Sequence, residues 1–171
     1  MIRLSGLILL LLTASAPAAP PPELTGRIDS ARPAGCTVYW LLFISLYRAE
    51  LWSDSPSLPG EEYGLSLVYR TPFSGKQLVK ASIAEMSRIS GRPASAFDGV
   101  RSELETAMRA VRRGDRYTAW RDASGRIEFF LNGETTGVLT EDGDLFMAIW
   151  LGPHTRYPQR RNILTDGVCH D

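Results

Sequence analysis

The sequence predicts an α+β domain in which helices pack on one side of an antiparallel β-sheet. Three observations lead there. The patterned segments come as strands, then two helices, then an antiparallel meander, then a last helix, without the βαβ alternation of a parallel sheet. The 171 residues are 44% apolar and 22% charged, the length and composition of one globular domain. No internal repeat and no linker divides the chain into two domains.

The chain opens with MIRLSGLILLLLTASAPAAP: a positive charge at Arg3, an apolar run from Leu7 to Leu12, then small residues. That order is expected of a secretory signal peptide over residues 1–18, cut after Ala18 or Ala19. The run is shorter than the roughly 20 residues a membrane span needs, so no stable span is expected after cleavage. Residues 19–35, APPPELTGRIDSARPAG, are rich in proline and small residues and read as a flexible leader. The domain proper is expected over residues 36–171.

Its first element is an apolar run from Val38 to Leu46 that continues into LFISLYRAELW, residues 42–52. Continuous and then alternating apolarity predicts one strand covered on both faces for part of its length. Within it, Tyr47, Ala49 and Leu51 share one face, and Arg48, Glu50 and Trp52 the other. After the turn-rich SDSPSLPGEE, YGLSLVYR alternates as a half-buried second strand. From Gly75, Val79, Ile83 and Met86 recur at helical spacing until Gly91 and Pro93. Ser95 then reads as the N-cap of a second helix with the face Phe97, Val100, Leu104, Met108 and Val111, stopping at Gly114. DRYTAWRD and IEFFL form a hairpin around Ala123-Ser124-Gly125, and Asn132-Gly133 turns into TTGVL. Last, GDLFMAIWLGP puts Leu145, Phe146, Ile149 and Trp150 on one helical face.

Without residues 1–18 the chain has 18 basic and 19 acidic residues, a balance unsuited to a nucleic-acid backbone. Arg109, Arg112, Arg113 and Arg116 are read as cations at the negative end of the second helix. Arg48 and Glu50 are read as a surface ion pair or cross-strand partners. The two cysteines, Cys36 and Cys169, are expected to form one disulfide in an oxidising compartment, with free thiols or an intermolecular bridge as alternatives. Such a bridge would contribute about 4 kcal/mol on a chain-entropy argument. GxGxxG, Walker, HExxH, CxxC and GxSxG motifs are absent, and two histidines offer no zinc set. No metal and no cofactor is therefore expected.

LFISLYRAELW, YGLSLVYR, GDRYTAW, FFLNGETTGVL and FMAIWLG follow one another with gaps that resemble the chalcone isomerase-like family, in its branch of small exported bacterial proteins. The resemblance implies an open antiparallel sheet, a helix layer over one face and a ligand cleft between them. In the plant enzymes a chalcone phenolate closes onto an enone without a cofactor, held by an arginine, a threonine, a tyrosine, a lysine and an asparagine. Here the threonine position falls near Tyr47, while the tyrosine, lysine and asparagine positions fall on Leu78, Ala81 and Glu85. The arginine position falls near Gly35 to Thr37, where there is none.

The expected function is accordingly the binding of a small apolar ligand, a fatty acyl chain or an aromatic acid, without true chalcone isomerisation. Tyr47, Tyr69, Arg70, Phe146 and Trp150 are the expected ligand residues: phenols and an arginine for a polar head, aromatics for an apolar body. Two other classes stand beside it. One is a cofactor-independent isomerase using Tyr47 and Glu85 for proton handling. The other is a structural protein of the cell envelope with a filled core.

Overall fold

A computed structural model describes residues 20–30 and 32–169. The expected signal peptide lies outside them. Six strands, β1 (Gly35–Leu41), β2 (Ile44–Trp52), β3 (Tyr63–Tyr69), β4 (Arg116–Arg121), β5 (Ile127–Leu131) and β6 (Glu134–Leu139), form one sheet in sequence order. Every neighbouring pair is antiparallel. Four helices, α1 (Gly75–Ser90), α2 (Asp98–Ala107), α3 (Gly143–Leu151) and α4 (Pro158–Thr165), complete the expected α+β architecture.

The alternation of β2 holds. Ala49 and Leu51 join Leu65, Leu67, Ala119 and Phe129 on one sheet face, where they meet Val79, Ile83 and Met86 of α1, Leu104 of α2 and Phe146 of α3 in one core. That face carries the helix layer. α1 begins on a capping box: Gln77 N–H donates to Ser74 Oγ at 3.3 Å, and Ser74 N–H to Gln77 Oε1 at 2.8 Å. It ends at Gly91, whose φ of 71° is the left-handed cap conformation glycine takes at least cost.

The structure corrects the sequence reading at four places. The single strand expected from Val38 to Trp52 is a hairpin, with Leu42 and Phe43 as its two-residue turn. Nothing local marked it, because neither residue is a turn former. The second helix stops at Ala107 rather than Gly114, and Ser95 lies in a 3-10 turn instead of capping it. Tertiary bonds outcompete the continuing helix: Tyr117 OH donates to Ala107 O, Arg109 N–H donates to Tyr117 OH at 3.1 Å, and Phe73 and Val111 exchange backbone bonds of 3.1 and 2.8 Å. Arg109, Arg112 and Arg113 therefore follow the helix, and Arg116 opens β4. Third, Glu50 is only 4% exposed, so it is a buried carboxylate between Arg48 (3.6 Å) and Arg116 (3.9 Å) rather than a surface charge.

The fourth concerns the leader. Residues 22–24 form a 3-10 turn, and Leu24 and Ile28 are buried against Trp52, Trp120 and Phe130 on the sheet face away from the helices. Those rings are too large an apolar patch to leave in water, and the segment covers them. Gly64 makes room: a Cβ there would lie 2.7 Å from Leu24 Cδ1. Arg27 stacks over Trp120 and Phe130 and pairs with Glu128 at 2.8 Å. Leu24→Ala is expected to cost about 2–4 kcal/mol in urea denaturation. An unchanged midpoint would mean that the segment contributes nothing to the fold.

Cys36 and Cys169 are joined in a disulfide across 133 residues. It ties β1 to the chain just after α4, an element with no clear periodic signal in the sequence.

Candidate functional site

Between the helix layer and the sheet lies a cavity of about 470 Å³. This is within the range of small-molecule sites. Its floor is the core face of the central strands, including Leu65, Leu67, Ala119 and Phe129, and α3 supplies Phe146, Ile149 and Trp150. The interior is apolar because alternate residues of strands buried on that face are apolar. A small residue, Ala119, forms part of the floor, paired across the strands with Leu65 and Phe129. Towards the surface the lining turns polar, with Gln77, Glu85, Arg156 and Tyr157.

One wall is a run of rings. Tyr39 stacks on Tyr47 with centroids 5.1 Å apart, Tyr47 meets Tyr69 edge-on at 5.7 Å, and Tyr69 meets Phe73 at 5.9 Å. Cross-strand pairing makes this wall, since Tyr39, Tyr47 and Tyr69 lie opposite one another on β1, β2 and β3. Trp150 Nε1–H donates to Tyr47 OH at 3.0 Å. The Tyr47 hydroxyl proton is thereby left free to donate into the cavity. The Tyr39 hydroxyl is buried and makes no hydrogen bond among the described residues. Glu85 is held by Arg88 at 2.8 Å and by Arg156.

Burial pushes the Tyr39, Tyr47 and Tyr69 phenols well above the ordinary tyrosine value of 10.0, and for Tyr47 the Trp150 hydrogen bond only partly opposes it. They stay protonated hydrogen-bond donors at neutral pH. The folded state then binds more protons than the unfolded chain above pH 10, so stability is fully present below that pH and lost as pH rises through the folded values. Tyr63 on β3 is likewise pushed up by burial, to about 12, and four such groups give an expected limiting slope of about 5 kcal/mol per pH unit above pH 10. Urea midpoints measured from pH 7 to 11 check this. A flat profile through pH 11 would show that the phenols ionise as they do in water.

Of the residues singled out in the sequence, Tyr47, Tyr69, Glu85, Phe146 and Trp150 all line this cavity, and Arg70 does not. Arg70 follows Tyr69 at the end of β3, beyond the cavity wall, where its backbone N–H donates to Leu46 O at 2.8 Å. Leu78 and Ala81 also line it. Thus all three helix positions at which the resemblance puts a tyrosine, a lysine and an asparagine face the cavity, and here they carry Leu, Ala and Glu. The cation at the cavity is instead Arg156, from the connection between α3 and α4. Its only trace in the sequence is an arginine between Thr155 and Tyr157 in a proline-bounded loop. Tyr39 was hidden in the continuous apolar run.

No family model matches the chain, and no curated protein matches it. Among solved structures it is similar to a fatty-acid binding protein from Arabidopsis thaliana, with a TM-score of 0.62 at 12% identity, over 89% of this chain and 92% of that one. The fold is chalcone isomerase-like. Among the described residues, no group of three or more His, Cys, Asp or Glu is arranged to hold a metal ion, and no helix is long and apolar enough to cross a membrane.

Proposed function

We propose that this chain is an exported member of the chalcone isomerase-like family that binds one fatty acyl chain or aromatic acid in the cavity between sheet and helices. The observation that carries the reading is the cavity itself, apolar within and polar at its mouth. An amphiphile would lay its tail over Leu65, Ala119 and Phe129 and leave its carboxylate near Arg156, with Tyr47 donating a hydrogen bond on the way. The similarity to a fatty-acid binding protein agrees with this. Export is supported by the opening residues of the chain and by the Cys36–Cys169 bond, since disulfides persist in oxidising compartments.

The test is a panel of saturated fatty acids and aromatic acids, read by melting temperature, with native mass spectrometry for a molecule that co-purifies. A rise that depends on chain length is expected. No shift from any member, and no carried molecule, would sink the binding reading. Tyr47→Phe should weaken a carboxylic ligand roughly three- to tenfold, the worth of one hydrogen bond.

Tyr47 and Glu85 meeting in one cavity is what favours the second reading, a cofactor-independent isomerase. Against it, Tyr47 is held protonated and Glu85 is engaged by two arginines, so neither is a ready base. Ring closure of a chalcone, followed by absorbance and lost in Tyr47→Phe, would reverse that judgement.

A further inference from the structure

We infer that the tip of the β1–β2 hairpin is a membrane-docking element that inserts into an anionic lipid surface and brings the cavity mouth to it. The inference rests on the ligand-binding reading for its purpose but on separate residues for its evidence.

The tip is Trp40-Leu41-Leu42-Phe43-Ile44, and its five side chains are 45, 55, 87, 96 and 55% exposed. No charged residue occurs between Arg32 and Arg48. Scattered exposed apolar residues are ordinary, whereas five in succession on a projecting turn are not. The turn also violates its own local chemistry. Leu42 has φ 53°, a conformation that strains a bulky side chain and that Asn or Gly adopts readily. Two-residue hairpins favour Asn-Gly, which this chain uses at Asn132-Gly133. Keeping Leu-Phe at the other turn puts two large apolar side chains at the outermost point at a cost in stability. A local rule broken in this way marks a functional position.

Charge and position identify the occupant. A second, shallower cavity of about 410 Å³ is lined by Tyr39, Trp40, Arg156, Tyr157 and Arg160 among others, with no acidic residue in its lining. Arg160 contacts Thr37 Oγ1 at 3.1 Å and has no carboxylate partner among the described residues, and neither has Arg70 beside Leu46. An apolar wedge with a tryptophan at its base and cations behind it fits a bilayer whose headgroups are anionic. Tyr39, Leu46 and Tyr47 of the same hairpin wall the main cavity. Insertion of the tip therefore brings this wall of the cavity toward the lipid surface.

The described fold begins at Pro20, so a chain starting at Ala19 contains all of it and excludes the apolar opening segment. Flotation of that chain with vesicles of equal phosphatidylglycerol and phosphatidylcholine is expected to carry it upward, and pure phosphatidylcholine to carry much less. Leu42→Asn with Phe43→Gly should keep or raise the melting temperature yet lower partition about a hundredfold. Leu42→Asp with Phe43→Asp provides a second variant. Binding of a soluble fluorescent fatty acid without vesicles should be the same in all three proteins. Its absence from all of them would defeat the cavity reading and leave the docking result standing. Equal flotation of wild type and both variants overturns the inference. So does a wild-type dimer in size-exclusion chromatography that the tip variants convert to monomer while none of the proteins floats, which would make the tip a self-association surface.

Discussion

Ala119→Phe is expected to weaken fatty-acid binding at least about tenfold while the melting temperature stays level or rises. Ala119 lies on the core face of β4, opposite Leu65 on β3 and Phe129 on β5. Its methyl group is part of the cavity floor, so a benzyl group there extends into open volume rather than into packed atoms. Overpacking a filled core costs 1–3 kcal/mol. Filling a cavity recovers dispersion and apolar burial instead, so a filled-core protein and a hollow one respond with opposite signs. The pair of measurements separates the reading of a structural envelope protein from that of a ligand carrier. A falling melting temperature would indicate that the space is not open in solution. A stable variant with undiminished affinity would place the ligand elsewhere.

Reducing the Cys36–Cys169 bond is expected to remove about 4–5 kcal/mol of unfolding free energy. The bond closes a loop of 133 residues, nearly all of the folded chain, and a long loop constrains the unfolded ensemble most. It also holds the segment after α4 against β1, where Cys36 N–H donates to Val168 O at 3.1 Å. Urea titrations with and without reductant should show a lower midpoint and a steeper slope, because the reduced chain exposes more surface when it unfolds. If the loss is under about 1 kcal/mol, reduction only frays the end of the chain and the entropic account does not apply.

The candidate site was partly legible. Tyr47, Tyr69, Phe146 and Trp150 could be expected around one cleft, because the resemblance implies a cleft and each lies on the apolar face of its element. Arg70 illustrates the limit. Adjacent strand residues point to opposite faces, so Tyr69 and Arg70 could not both enter the cavity, and β3 places the tyrosine inside. Glu85 was reached through the resemblance alone; Arg88 engages it from within α1, but Arg156 does so from a loop 71 residues away. Arg156, Tyr157 and Tyr39 were missed for related reasons. The loop before α4 has no period, and a continuous apolar run conceals which of its members face inward.

What the sequence determined by itself were the elements and their faces. Periods of 2 and 3.6, the glycine after α1, the Asn-Gly turn before β6 and the pair of cysteines are local or compositional signals, and the structure keeps them except for the helical period beyond Ala107. Tertiary structure alone decided where a local preference was overruled. The apolar run broke at Leu42-Phe43 because β1 and β2 pair there, and α2 stopped at Ala107 because Tyr117, Phe73 and Val111 bonded its continuation away. Residues 22–28 settled onto the sheet because Trp52, Trp120 and Phe130 needed cover. Each outcome depends on surfaces brought together from distant parts of the chain, and burial and hydrogen bonding between such surfaces outweigh the few tenths to one kcal/mol per residue of local propensity.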